Sequence, residues 1–335
     1  WTDETLQFKT RIYRYISNNI IFIAMKRSIV LLVKRILFSL FPLFYSIHGY
    51  SQTALEYDDA GYSKIQSKDY IGAIEDYTKA LAINPKDTGA LKNRGIAKQH
   101  LKDYKGAIAD YSKAIRIDPK FKNAFNNRGN VKMILKDYEG AMIDFNRAID
   151  LDSNFHIAYY NRGRLKSELK NFKGGIEDFS KAIKLKPDYV NAYYSRGVAK
   201  NKLKKYEDAL ADGDKCIMLS ENNVSCYILR GLAKKDMADY KGALGDFDKA
   251  IEIDPKSATS YYDRGLVKKE LLDIEGVIVD CSVAIVLNPK YGKAYWLRGL
   301  AKIKSDQKRA GCEDLNKALE LDCEYASESI RIYCE

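Results

Sequence analysis

The residues of this sequence that could do chemistry are charged side chains that recur every 34 residues. An Asp recurs at that spacing from Asp76 to Asp314, and a Lys recurs from Lys64 to Lys302. An Arg stands four residues before every one of these Lys residues except the first. Residues four apart share one face of a helix. The cations could therefore pair with the Asp residues as an internal ladder, or form a basic stripe that is open to an anionic partner.

No motif for catalysis, nucleotide binding or metal binding accompanies these charges. The sequence has no glycine-rich phosphate loop, no H-E-x-x-H and no C-x-x-C. The histidines are His48, His100 and His156, and no spacing links them into a site. We therefore expect no enzyme activity, no cofactor and no metal site.

The same spacing divides the apolar residues into eight copies of one pattern. We number each copy 1–34 from Ala54, so that the eighth copy ends at residue 325. Position 8 is Gly in every copy, position 27 is small, and positions 4, 17 and 24 are mostly aromatic. Small residues allow two antiparallel helices to approach closely, and Pro at position 32 cannot continue the second helix. One hairpin cannot bury its apolar face alone, whereas stacked copies can.

This pattern resembles the tetratricopeptide repeat (TPR). The clearest copy is DYKGAIADYSKAIRIDPKF at Asp103–Phe121, with a near relative at Asp239–Ser257. The resemblance implies an all-α fold, a right-handed α-solenoid of about eight TPR helix-turn-helix repeats at residues 54–325. It also implies a short C-terminal capping helix at residues 326–335.

The capping helix is predicted to be amphipathic. We expect Ile330, Ile332 and Tyr333 to cover the last hairpin, while Ser329 and Arg331 face water. Copy five departs most from the pattern, because position 24 is Gly213 and position 27 is not Ala. A lost buried ring destabilises a core, so we expect copy five to be a soft joint between two stiffer halves.

The first 51 residues match no repeat. Residues 1–24 precede the first methionine and are predicted to be a non-native upstream extension. Residues 25–51 combine a basic start, a mostly apolar run and small residues before Gln52, which is typical of a signal peptide. We therefore expect an exported protein of bacterial type, periplasmic or extracellular. An uncleaved N-terminal membrane anchor is the alternative.

Export would place the six cysteines in an oxidising compartment. Cys216 ends one hairpin and Cys226 begins the next, so these two could pair. Cys312 and Cys334 could join the last hairpin to the cap. Cys281 occupies an aromatic core position and is predicted to be a buried thiol.

The resemblance also indicates a binding surface. In TPR proteins, positions 2, 5, 9, 12 and 13 of the first helices line a concave groove. The predicted peptide-binding residues of this chain are Lys92, Asn126, Asn127, Asn130, Tyr160, Arg164, Tyr194, Asn201, Tyr262, Lys269 and Trp296. Aromatic anchors beside polar donors suit an extended peptide or a partner helix. The alternative is that the aromatics at position 5 only pack on the adjacent first helix.

Some TPR domains hold a C-terminal acidic peptide in a two-carboxylate clamp. Lys92, Asn127 and Arg164 match that pattern, but Ile96 and Glu168 do not. Glu168 would repel the carboxylate of the ligand, so we predict no working clamp.

These observations predict a non-catalytic scaffold or adaptor that binds a polypeptide partner in the groove. The alternative function is a cell-envelope binding protein for an anionic non-protein ligand, held by the Arg/Lys ladder. The net charge is +11, but residues 1–51 contribute seven cations against two acids. The charge per copy is therefore small, and no basic-aromatic module appears, so nucleic-acid binding is not expected. Membrane contact is expected only through the N-terminal segment if it is not cleaved.

Overall fold

The computed structural model describes residues 53–335, and the predicted segments 1–24 and 25–51 lie outside that range. The described residues form helices joined by short turns, without a strand. In chain order the helices are α1 (53–66), α2 (Tyr70–Ile83), α3 (Thr88–His100), α4 (Tyr104–Ile117), α5 (Lys122–Ile134), α6 (Tyr138–Leu151), α7 (His156–Glu168), α8 (Phe172–Leu185), α9 (Val190–Lys202), α10 (Tyr206–Leu219), α11 (Val224–Asp236), α12 (Tyr240–Ile253), α13 (Ala258–Glu270), α14 (Ile274–Leu287), α15 (Gly292–Lys304), α16 (Lys308–Glu320) and α17 (Ala326–Tyr333). Odd-numbered helices up to α15 are the first helices of the copies, and even-numbered ones are the second helices.

The helices form two compact units, which divide after Lys120. In the first unit, α3 forms a hairpin with α4 and packs against α2. In the second unit, each first helix forms a hairpin with the next helix, and from α7 onward it also packs against the preceding second helix. The helix α17 closes that unit by packing on α15 and α16. The predicted all-α solenoid of helical hairpins with a short capping helix is confirmed within each unit.

The turn inside each hairpin is set by the residue at position 15, which has a φ of 58–64° in all eight copies. Gly is the residue that usually adopts this left-handed conformation, but here non-glycine residues such as Lys102 adopt it. The Lys102 N–H donates to the Gln99 carbonyl at 3.0 Å, and the Asp103 N–H donates to the Lys98 carbonyl at 2.9 Å. These two bonds form a Schellman motif, which ends the first helix. The Asp103 carboxylate then accepts from the Gly106 N–H at 2.9 Å and begins the second helix.

The core of most hairpins is an aromatic ring that lies directly on a glycine. In copy two, a Cβ added to Gly95 would lie 2.6 Å from the ring of Tyr111, so no larger residue fits at position 8. Copy five has no ring, and there the side chain of Leu229 from copy six takes the space against Gly197. Leu229 is fully buried. Copy five is therefore packed from the neighbouring copy, and its softness stays a prediction.

Two disulfides connect successive elements. Cys216 of α10 is bonded to Cys226 of α11, with a Cα–Cα distance of 5.5 Å. Cys312 of α16 is bonded to Cys334, directly after α17, with a Cα–Cα distance of 5.8 Å. Cys281 is a buried free thiol, and burial raises its pKa to about 12. The first disulfide links copy five to copy six, and the second attaches the capping helix to the last hairpin.

The orientation predicted for the capping helix is wrong. Ser329 is buried, whereas the side chains of Ile332 and Tyr333 are 57% and 44% exposed. The cause is the indole N–H of Trp296, which donates to the Ser329 hydroxyl at 2.9 Å. An indole at a buried contact needs an acceptor, so the helix turns its serine inward. Arg331 is exposed, as predicted.

Replacing Leu229 by Ala tests whether copy five depends on its neighbour. We expect Leu229→Ala to lower the free energy of unfolding by about 2–5 kcal/mol, because it opens a cavity against Gly197. Met218 is 67% exposed on the same pair of copies and provides the control, Met218→Ala. The measurement is urea denaturation followed by circular dichroism. Equal effects of the two variants would contradict this account of the packing.

Counting free thiols tests the disulfides. In the denatured but unreduced chain, we expect an alkylating reagent to modify two cysteines, Cys281 and Cys323, because the other four are bonded. After reduction, all six should react, and intact mass gives both counts. Six modified cysteines before reduction would rule out both bonds.

Candidate binding face on the first helices

The Arg/Lys ladder is internal to the hairpins. In seven copies the Arg at position 7 binds the Asp at position 23 of the same copy, with Nη2–Oδ1 distances of 2.6–2.8 Å. The Lys at position 11 binds the other oxygen of that Asp in all eight copies, at 2.7–2.9 Å. The eight Asp residues are only 1–6% exposed. A carboxylate can be buried when it is paired and hydrogen-bonded in this way.

The same arginines also connect neighbouring copies. In six of them, Nη1 donates at 2.7–3.1 Å to the side chain at position 25 of the preceding copy. In six, the guanidinium also lies 5.4–5.8 Å from the ring at position 4 of its own helix. Sequence reasoning missed position 25, although an acceptor side chain stands there 16 residues before each Arg. The guanidinium donors are thus engaged inside the protein.

The predicted groove residues differ in their exposure to solvent. Arg164 is exposed, and its guanidinium lies 5.8 Å from the ring of Tyr160. The half-buried residues are Lys92, Asn127, Asn130, Tyr160, Tyr194, Asn201, Lys269 and Trp296. Lys92 belongs to the first unit, and the others belong to the second. We call positions 9, 12 and 13 of the first helices in copies three to eight, with the side chains beside them, the first-helix face.

Three predicted contacts serve the fold instead. Asn126 is 4% exposed, and its Oδ1 accepts from the amide of Asn161 at 2.9 Å, which joins two first helices. Tyr262 is 8% exposed and packs 5.0 Å from the ring of Tyr291. Trp296 holds the cap. Position 5 lies at the contact between successive copies, and Tyr262 and Trp296 pack there rather than project toward a ligand.

Besides Asp58 Oδ1 and the Tyr77 hydroxyl in the first unit, buried polar atoms without a partner occur on the first-helix face in three successive copies. They are Asn130 Oδ1, Ser167 Oγ and Asn201 Oδ1, at positions 9, 12 and 12 of copies three, four and five. Each atom is buried from solvent and has no hydrogen-bond partner in the described part of the chain. Such atoms are rare in folded proteins, and each calls for an explanation such as a missing ligand.

Two clefts of about 250 Å³ open on the same face. One lies between copies four and five and is lined by Ser167, Tyr194 and Lys202 among others. The other lies between copies seven and eight and includes Lys269 and Lys304. Position 12 of one copy and positions 6, 9, 10 and 13 of the next line both clefts. The repeat therefore builds the same pocket twice, with different side chains.

Comparison with known sequences identifies the repeat. Models of the family described as Tetratricopeptide repeat match residues 57–87, 89–121, 123–155, 156–189 and 224–257. These five segments of the chain are similar to tetratricopeptide repeats. TPR proteins generally mediate protein–protein interaction, and the family is typically non-catalytic. The TPR models do not match copies five, seven and eight, which are the copies without an aromatic at position 24. No curated protein matches the chain significantly.

Solved TPR structures share the fold. A tetratricopeptide repeat protein from Parabacteroides merdae ATCC 43184 is similar with a TM-score of 0.56 and 18% identity, covering 85% of this chain and 100% of that one. Pseudomonas aeruginosa pilF is similar with a TM-score of 0.58 and 20% identity, covering 66% of this chain and 99% of that one. Identities this low show the fold alone.

Other kinds of site receive no support from the described residues. Between residues 53 and 335, no group of three or more His, Cys, Asp or Glu is placed to hold a metal ion. His100 stacks on Tyr70, with ring centroids 4.3 Å apart, and His156 lies edge-on to Tyr189. Over the same range, no helix has both the length and the apolar character to cross a membrane.

One carboxyl group in the second unit has an unusual pKa. Burial raises the pKa of Asp263, at position 6 of copy seven, to about 7, and the attraction of Lys235 and Lys293 only partly offsets this. An unfolded Asp titrates near 3.9, so the folded chain binds one more proton between about pH 4 and 7. The free energy of unfolding should therefore fall as the pH rises through that window.

Asp263→Asn tests this pH dependence. At pH 8 we expect the variant to be more stable than the parent by a few kcal/mol, because no charge is buried, and at pH 4 the difference should vanish. The control is Asp188→Asn, since Asp188 is exposed and has no ion pair among the described residues. Urea denaturation at each pH gives the comparison. A difference between Asp263→Asn and the parent that does not change with pH would contradict the raised pKa.

Proposed function

We propose that this TPR protein is a non-catalytic scaffold that binds an extended polypeptide along its first-helix face. The observation that carries the proposal is the row of unpaired polar atoms on Asn130, Ser167 and Asn201. A buried polar atom without a partner costs about 1–3 kcal/mol. These atoms are covered in the free chain, and Ser167 Oγ lies against Gly175 of α8. A ligand that displaced the covering side chains and supplied hydrogen-bond donors along this row would remove that cost.

A polypeptide supplies such donors at regular intervals, because every residue except proline carries a backbone N–H. The cleft beside Ser167 also offers the ring of Tyr194 as an apolar wall and the charges of Arg164 and Lys202 at its edge. Backbone bonds to the row would give affinity for any extended segment. The cleft would select the side chain that enters it.

The alternative, an anionic non-protein ligand held by the Arg/Lys ladder, has less support. Each ladder Asp accepts from a Lys and, in seven copies, an Arg, and the arginines use further donors between copies. A ladder cation could bind an external anion only by giving up a buried Asp. That exchange leaves a carboxylate without its partner, which is strongly destabilising.

We further infer that the protein is exported and of bacterial type. Two disulfides persist only where the compartment is oxidising, as in the periplasm or outside the cell. The signal-like pattern of residues 25–51 favours the same location. An N-terminal anchor remains the alternative for how the chain is retained.

Ser167→Ala tests the first-helix face. Peptides are first selected on the wild-type chain from a random peptide library, and their affinity is measured by fluorescence anisotropy. We expect Ser167→Ala to weaken binding about fivefold or more, while the free energy of unfolding stays equal or rises by up to about 1 kcal/mol. That combination separates a ligand contact from a structural one.

The control variant is Ser153→Ala, since Ser153 is an exposed serine in the loop after α6. It should change neither binding nor stability. If Ser167→Ala bound the selected peptides as tightly as Ser153→Ala, the first-helix face would not be the binding site. A loss of stability in Ser167→Ala would mean that its hydroxyl has a partner within the protein.

A further inference from the structure

We infer that the cleft between copies seven and eight is a pocket for one apolar side chain flanked by carboxylates. The ligand would be a segment of the partner polypeptide in which acidic residues stand on both sides of one apolar residue. This inference rests on the proposed function. The pocket differs in chemistry from the equivalent cleft of copies four and five. Three features of the cleft support it, namely its floor, its rim and its outer wall.

The floor of the pocket is apolar and well packed. Val277 of α14 and Leu297 of α15 are 1% and 0% exposed, and Leu300 lies beside them. The equivalent cleft has Ser195 in the place of Leu297 and an unpaired hydroxyl at its edge. A volume of about 250 Å³ is below the roughly 300–1,000 Å³ of pockets for drug-sized ligands, and it suits one large side chain. A long acyl chain would not fit.

The rim is positive. Lys304 makes no ion pair or hydrogen bond through its side chain with any described residue, and Lys269 forms one ion pair, with its chain neighbour Glu270 at 3.6 Å. Neither lysine belongs to the ladder, whose cations here are Lys268 and Lys302. No acidic residue lines the pocket. The free ammonium group of Lys304 and the loosely paired one of Lys269 stand above an apolar floor. They complement a partner that places carboxylates on each side of an apolar residue.

The outer wall is Tyr333, at the end of the capping helix. Two links hold it there, the Cys312–Cys334 disulfide and the hydrogen bond from Trp296 to Ser329. Tyr333 itself is 44% exposed, so the fold does not bury it for stability alone. The pocket is complete only when the cap is docked, and reduction of the disulfide would release the residue next to this wall.

The probe is a fluorescein-labelled peptide of nine residues with a central leucine between two pairs of glutamates, in a glycine-serine background. Two matched peptides replace the leucine by alanine or the glutamates by glutamine. We expect the parent peptide to bind at least tenfold more tightly than either one. Lys269→Gln and Lys304→Gln should each weaken it about fivefold to tenfold.

The control variant is Lys290→Gln, because Lys290 is an exposed lysine in the loop before α15. This substitution changes the net charge of the protein by the same amount as Lys269→Gln or Lys304→Gln. It should leave the affinity unchanged. Tyr333→Ala removes the outer wall and Cys334→Ser removes the disulfide that holds the cap, so each should weaken binding of the acidic probe about fivefold. Reducing agent should weaken binding to the wild type but not to Cys334→Ser.

Failure of this inference is distinguishable from failure of the proposed function. Equal binding of all three probes, or equal effects of Lys304→Gln and Lys290→Gln, would overturn the pocket. The proposed function would still hold in that case if Ser167→Ala weakened the binding of the peptides selected from the library. If sedimentation showed that the chain dimerises and that Lys304→Gln abolishes the dimer, the occupant would be a second copy, and the peptide assignment would be wrong.

Discussion

The structure depends on burying one carboxylate in every hairpin. In seven copies the Asp at position 23 is buried with an Arg and a Lys from the facing helix bound to its two oxygens, as Arg196 and Lys200 are to Asp212. In copy one, Asp76 pairs with lysines alone. An uncompensated charge there would cost several kcal/mol, so the two helices are held in the arrangement that keeps the triad intact. The Arg then reaches into the preceding copy, as Arg196 does to Ser180. One side chain thus fixes the geometry within a hairpin and between hairpins.

This use of charge decides which part of the surface is left for a partner. The most regular cations of the sequence are occupied inside the stack. On the first-helix face, the cations that make no ion pair with any described residue are irregular ones, such as Arg164 and Lys304. In the function proposed above, recognition would depend on positions where the repeat varies, because the invariant positions serve the fold. The variation also makes the two equivalent clefts chemically different.

The packing shows how a repeat tolerates a departure from its pattern. Copies five and seven have Gly213 and Cys281 where most copies have a ring, and in each case the next copy has a leucine at position 6. Leu229 and Leu297 fill the two spaces, whereas other copies have polar residues at position 6. Each change is compensated across the boundary between copies, as expected when stability resides in nearest-neighbour contacts.

The 34-residue period by itself determined the helical hairpins, the solenoid class and the positions of the charges. Since the period fixes where a residue lies along its helix, the pairing of position 23 with positions 7 and 11 was one of two outcomes that the sequence allowed. The cysteine pairs could be proposed for the same reason, since Cys216 and Cys226 lie on either side of one turn. Only the tertiary structure decided what side chains of different copies do to one another. It turned Ser329 toward Trp296, buried Asn126 and left Ser167 without a partner. These outcomes depend on how side chains from different copies pack into the same space. The 34-residue period gives the position of a residue along its helix, but it does not say which neighbouring side chain that residue contacts.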